Sequence, residues 1–203
     1  MKALPNLITG LRLALSLFVF FALATAAGDM PGLELSGGAI FALDRWALVA
    51  FVVAAVTDFF DGWLARRLGA TSIWGAILDP IADKVLVCAT VLGLLALAAS
   101  PMVVVPAALI LFREFTVSAL REALAGRVTL AVTLLAKWKT TLQLVALAAE
   151  LALVTWRAAP PADTGAILAA AWLAHALLWL AAAVTLITGA QYLWQARKAL
   201  AAG

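Results

Sequence analysis

"DFFDGWLARRLGATSIWGAILDPIAD", residues 58–83, sets four aspartates and two arginines between two apolar runs. Carboxylates are costly near lipid, so this segment must compensate for them. The surrounding chain makes the contrast sharp. It has 203 residues, of which 66% are hydrophobic and 12% charged, with a mean hydropathy of +1.09. A soluble domain is usually about 45–50% apolar. The excess is more greasy surface than a core of this size can hide, and an integral membrane protein is the expectation. The single cysteine, Cys88, rules out a disulfide framework and a cysteine metal site. Lys2 followed by an apolar stretch and "ATAAGD" imitates a secretory signal. The run from Leu13 to Ala27 is long for one, and further apolar segments follow, so it reads as a first span.

Apolar runs and loop signals give an all-α, polytopic chain with six transmembrane helices, near 7–27, 42–66, 74–99, 101–122, 133–156 and 166–193,. No repeat interrupts them, so residues 1–203 form a single domain. With an even number of spans both termini share a side. That side collects Lys2, Arg12, Arg66, Arg67, Lys84, Arg113, Arg121, Arg127, Lys137, Lys139, Arg197 and Lys198, and the other only Arg45 and Arg157. The asymmetry places both termini and the aspartate segment in the cytoplasm. Trp46 to Thr57 is only 12 residues, roughly 18 Å of helix, against a hydrocarbon layer of about 30 Å. The second helix therefore continues through Asp58, Asp61 and Arg66, and the carboxylates lie at the depth of the cytoplasmic leaflet.

On that helix Asp58, Asp61, Gly62, Ala65 and Arg66 share a face. On the next, Gly75, Asp79 and Asp83 step by four. Small residues let the two backbones approach, and Ser72 is placed to cap the third helix. Four converging carboxylates repel one another and take up protons unless cations join them. All the ligands are oxygens, which favours Mg²⁺ or Mn²⁺. Two such ions about 3.5–4 Å apart clamp a phosphoryl group in transfer, and a diphosphate substrate suits them. Simple salt bridges, Asp58 to Arg66 and Asp83 to Lys84, would need neither the glycines nor four acids on facing helices.

The segment reads D-x2-D-G-x2-A-R-x8-G-x3-D-x3-D and resembles, without departure, the signature of the CDP-alcohol phosphatidyltransferases. The resemblance implies a dimeric enzyme of six transmembrane helices, facing the cytoplasm in the bacterial inner membrane. It would move a phosphatidyl group from CDP-diacylglycerol to an alcohol and release CMP. Asp58, Asp61 and Asp79 would hold two metal ions, and Asp83 would join the second and act as general base. Gly62 and Arg66 would meet the cytidine diphosphate, with Gly75 giving close approach from the facing helix. Thr57 would face the nucleotide.

The signature does not name the acceptor. Arg113 follows too few apolar residues to have crossed the membrane, so it lies inside the fourth span, where an arginine is a functional residue by default. Arg121, Lys137 and Lys139 lie on the same side. Cations around a carboxylate site suggest an anionic acceptor, for example one bearing phosphate, while attraction to anionic lipid headgroups is the plainer alternative. "LPNLITGLR", "FREFTVSALRE", "AKWKTTLQLVALA" and "TGAQYLWQAR" resemble the bacterial branch of the family that uses sn-glycerol 3-phosphate. In that branch's first-helix pattern Asn6, Thr9 and Arg12 would contact nucleotide or metal-site carboxylates. Branches accepting phosphatidylglycerol, serine or inositol phosphate share the signature, and a Mg²⁺ transporter would also place acids in a membrane. The expected partners are the two substrates, lipid and a second copy of the chain, with no nucleic acid. His175, the sole histidine, reads as a packed or hydrogen-bonded residue, since no acid near it in sequence suggests a relay. Tyr192 marks the cytoplasmic end of the last helix.

Overall fold

The computed structural model describes residues 3–28, 32, 35–68, 73–97, 100–124, 134–157 and 163–201. Side chains at 3–6, 59–68, 73–77, 134–137, 157 and 199 lie outside the description. The described residues form six α-helices: α1 (Ala3–Ala26), α2 (Gly37–Leu68), α3 (Ile73–Leu97), α4 (Pro101–Ala123), α5 (Leu134–Arg157) and α6 (Thr164–Ala201).

Helix ends follow local chemistry. Ser36 accepts the Ala39 N–H at 3.3 Å, and this cap starts α2 five residues before the apolar run expected from 42. Ser100 is the N-cap of α4, accepting from the Met102 N–H, with Pro101 at the first turn. There the proline's missing N–H costs nothing. Pro80 lies within α3. Ser72 is outside the described residues. α6 runs eight residues past the expected 193, through Trp194 to Ala201, because a helix leaving the membrane keeps its own hydrogen bonds in water.

Polarity is distributed inside out. Phe112, Trp172, Leu173 and Trp194 face outward, all more than 60% exposed. Arg12, Ser16, Thr90, Gln143, Glu150, Thr185 and Thr188 are buried. Such an exterior suits hydrocarbon, where inter-helix hydrogen bonds take the place of water. Five helices contain stretches long and apolar enough to cross a membrane, which makes this a multi-pass membrane protein. α5 is not among the five; Lys139, Gln143 and Glu150, all on its buried side, lower its hydropathy.

α1 packs on α2 and α3, α5 on α6 and α2, and α4 on α6. Val19, Leu23, Phe51, Val91, Ile110, Leu147, Leu151 and Leu178 form the shared core. The contact of α1 with α3 is close at Gly93, where an added Cβ would stand 2.7 Å from Leu23 Cβ. That closeness brings the polar face of α1 onto the aspartates of α2 and α3.

Candidate active site

The first helix supplies what the signature alone does not show. Arg12, 1% exposed, places Nη1 2.8 Å from Asp58 Oδ1 and 2.8 Å from Asp83 Oδ1. Thr9 donates its hydroxyl to Asp79 Oδ1 at 2.5 Å. Thr9 and Arg12 are three apart and share a helix face, so one stripe of α1 engages three of the four aspartates. Of the two contacts expected for this stripe, the structure contains the one to carboxylates. Asn6, Asp61, Gly62, Arg66 and Gly75 have side-chain positions outside the described residues.

Asp58 and Asp83 come from different helices yet converge on one cationic nitrogen. Oxygen donors brought together around a positive charge are what a divalent ion needs, so the residues present fit Mg²⁺ or Mn²⁺. Among the described residues no group of three acidic, imidazole or thiol side chains encloses an ion position; Asp61 is not in that set. Thr57 turns its hydroxyl back to Val53 O at 2.8 Å and Ala54 O at 2.9 Å, which commits its proton within α2. Lys84 bonds Ser118 of α4 rather than neighbouring Asp83.

Asp58 and Asp83 form one wall of a cavity of about 340 Å³. Arg113, Arg121, Lys139 and Tyr192 line it as well. Arg113 and Lys139 are each 6% exposed, and both bond the carboxylate of Glu114, Arg113 through Nη1 at 3.1 Å. Arg113 also donates from Nη2 to Thr188 at 3.1 Å. Its stem crosses α6 at Gly189, where a Cβ would meet Arg113 Cγ at 2.8 Å, so a larger residue would push the arginine away. Arg121 is exposed and donates from Nη2 to the Tyr192 hydroxyl at 3.1 Å. The Tyr192 ring lies 5.0 Å from the Arg121 guanidinium and 5.8 Å from that of Arg113, within cation–π range. Lys137 has its side chain outside the described residues.

Tyr192 therefore does more than mark a helix end: it is 5% exposed and supports two arginines. The expectation underrated it because a tyrosine near a membrane boundary reads as an interfacial anchor. Thr188, Gly189 and Tyr192 fall on one face of α6, and "TGAQY" is a polar break in an apolar run; that pattern carried the signal. His175 is hydrogen-bonded, to an acid distant from it in sequence. Glu150 Oε1 lies 2.8 Å from His175 Nδ1, brought there by the packing of α5 on α6.

Acidic and basic side chains face one cavity inside a helical membrane bundle, an arrangement able to receive a polar, charged ligand. The CDP-alcohol phosphatidyltransferase family profile matches residues 2–187, and the chain belongs to that family. It is a transferase of phospholipid biosynthesis, in a family that uses divalent metals. A protein of Cereibacter sphaeroides named CDP-diacylglycerol–glycerol-3-phosphate 3-phosphatidyltransferase is 43% identical over 185 residues, covering 77% of this chain and 82% of its own. Proteins of the same name from Rickettsia bellii and Escherichia coli are 42% and 43% identical, over 73% and 76% of this chain and 77% and 80% of theirs.

Proposed function

We infer that this chain transfers the phosphatidyl group of CDP-diacylglycerol to sn-glycerol 3-phosphate, giving phosphatidylglycerophosphate and CMP. The observation that carries the choice of acceptor is the burial of Arg113 and Lys139 in the same cavity as Asp58 and Asp83. Buried cations need a compensating anion, and among the described residues one carboxylate, Glu114, pairs with both. An acceptor phosphate gives Arg113, Lys139, Lys137 and Arg121 a dianion to bind. The names of the related proteins agree with that acceptor.

In this reading Asp58, Asp61, Asp79 and Asp83 hold two divalent ions, Mg²⁺ or Mn²⁺. When bound, these would neutralise the diphosphate and make CMP a better leaving group. Gly62 and Gly75 let the nucleotide reach the backbone, while Arg66, with Asn6 and Thr57, contacts it. Arg12 keeps Asp58 and Asp83 from repelling each other. Asp83 takes the proton of the acceptor's 1-hydroxyl. That oxygen bonds to the β-phosphorus, the bond from phosphorus to the bridging oxygen breaks, and CMP departs with the electron pair.

With six crossings, α5 included, both termini share a side, and the Lys and Arg asymmetry favours the cytoplasmic face of the bacterial inner membrane for them and for the site. Residues 1–203 act as one domain, and two copies form a homodimer. An acceptor panel tests the assignment. Purified protein in micelles with Mg²⁺ and CDP-diacylglycerol receives glycerol 3-phosphate, serine, inositol, inositol phosphate or phosphatidylglycerol. CMP release with glycerol 3-phosphate alone is the expected result, and a preference for any other acceptor overturns it.

A further inference from the structure

Gln143 lines the cavity that holds Asp83, Arg113 and Lys139. It is 2% exposed. Its buried polar neighbours Lys139 and Glu150 are paired with Glu114 and His175. The Gln143 amide is not among the buried side-chain atoms that lack a hydrogen-bond partner; it lies on the wall of a cavity lined by charged and hydroxyl side chains, where an amide can bond a ligand.

Position identifies that ligand group. Gln143 lies one helical turn beyond Lys139 on the same face of α5. The amide thus shares one cavity with the general base and with the phosphate-binding cations. An acceptor whose phosphate engages Arg113 and Lys139, and whose 1-hydroxyl reaches Asp83, carries its middle carbon between them. On glycerol 3-phosphate that carbon bears the 2-hydroxyl, which needs a donor or an acceptor of its own. An amide supplies both.

We propose that Gln143 reads the 2-hydroxyl of the acceptor and is a specificity-determining residue for the transfer. The proposal rests on glycerol 3-phosphate being the acceptor. A site built to bond a hydroxyl rejects the analogue lacking it, because its own polar group is then left unpaired. An apolar residue at 143 removes that penalty and the preference together.

The test compares glycerol 3-phosphate with 3-hydroxypropyl phosphate, which keeps the primary hydroxyl and the phosphate and lacks the 2-hydroxyl. Each is assayed by CMP release with the full chain, Mg²⁺ and CDP-diacylglycerol. The unaltered protein is expected to favour glycerol 3-phosphate by about tenfold or more in kcat/KM. In Gln143→Met the ratio should fall to within about threefold of one, mainly through loss with glycerol 3-phosphate. A ratio within one preparation does not depend on how much of the variant folds, and Gln143→Leu is the second variant should the first not accumulate. A ratio unchanged in either variant overturns the proposal, as does an unaltered protein that uses both acceptors equally. No CMP from the unaltered protein with glycerol 3-phosphate would instead remove the acceptor assignment on which the proposal rests.

Discussion

The Thr9 hydroxyl donates to Asp79 Oδ1 across 2.5 Å, joining residues 70 positions apart. α1 thereby fixes a carboxylate that α3 alone would leave free to rotate. Asp79 is exposed, so this bond contributes about 1 kcal/mol rather than the larger figure for a buried charged acceptor. Thr9→Val is expected to lower kcat/KM roughly fivefold and to raise the Mg²⁺ concentration for half-maximal rate. Thr9→Ser, which keeps the donor, should restore most of both. A Mg²⁺ titration of CMP release on the three proteins decides it, and Thr9→Val behaving like the parent would show that Asp79 needs no help from α1.

Removing carboxylates probes the metal reading directly. Asp58→Asn, Asp61→Asn, Asp79→Asn and Asp83→Asn each delete a charge proposed to hold an ion or to accept the proton, and each should lose most activity. EDTA should abolish turnover, with Mg²⁺ or Mn²⁺ restoring it. In Asp58→Asn and Asp83→Asn, Arg12 also loses one of its two carboxylate partners. Full activity in EDTA, or in two of the four variants, would be incompatible with a two-ion site.

Much of this was legible in the chain. Helix number, membrane character and the spacing of Asp58, Asp79 and Asp83 follow from hydropathy and helical periodicity, which are local properties. The engagement of Thr9 and Arg12 with carboxylates stood in the first-helix pattern only as one of two expectations, because the partner of a polar stripe depends on which helix packs against it. Tyr192 beneath Arg113 and Arg121, Gly189 beneath the Arg113 stem, and Glu150 against His175 were not legible. Each is a long-range pairing produced by α6 lying on α4 and α5. Helix ends drifted for a related reason: hydropathy locates where lipid ends, whereas Ser36 and the polar turns after Tyr192 decide where the helix ends.

Orientation is open to a labelling test. The concentration of Lys and Arg predicts that both termini face the cytoplasm. In a Cys88→Ser background, Met30→Cys and Ala162→Cys should react with an impermeant maleimide added to intact cells. Lys198→Cys, at the exposed end of α6, should react only after permeabilisation. Protection of Met30→Cys in intact cells together with labelling of Lys198→Cys would invert the topology and put the site on the wrong side for a cytoplasmic substrate.

The acceptor site gives the most demanding prediction, because two separate changes should produce the same defect. Arg113→Ala removes a charge-assisted contact to a partly buried dianion, roughly 1.5–3 kcal/mol. At about 1.4 kcal/mol per tenfold, kcat/KM for glycerol 3-phosphate should fall about 10- to 150-fold, with the KM for CDP-diacylglycerol changed by less than about threefold. Lys137→Ala should act in the same sense. Gly189→Ala leaves the arginine in place but sets a methyl 2.8 Å from its Cγ, closer than carbon atoms pack. The stem must move, carrying the guanidinium away from Thr188 and the Tyr192 ring, so the acceptor should again suffer and the donor should not. Because both changes act through one side chain, their effects should not add. Arg113→Ala with Gly189→Ala should be no slower than Arg113→Ala alone. Multiplying defects in the double variant would mean that Gly189 serves helix packing independently of the arginine. An equal loss for donor and acceptor in Arg113→Ala would mean that the residue supports the nucleotide or the fold, and the buried cations would then no longer argue for a phosphorylated acceptor.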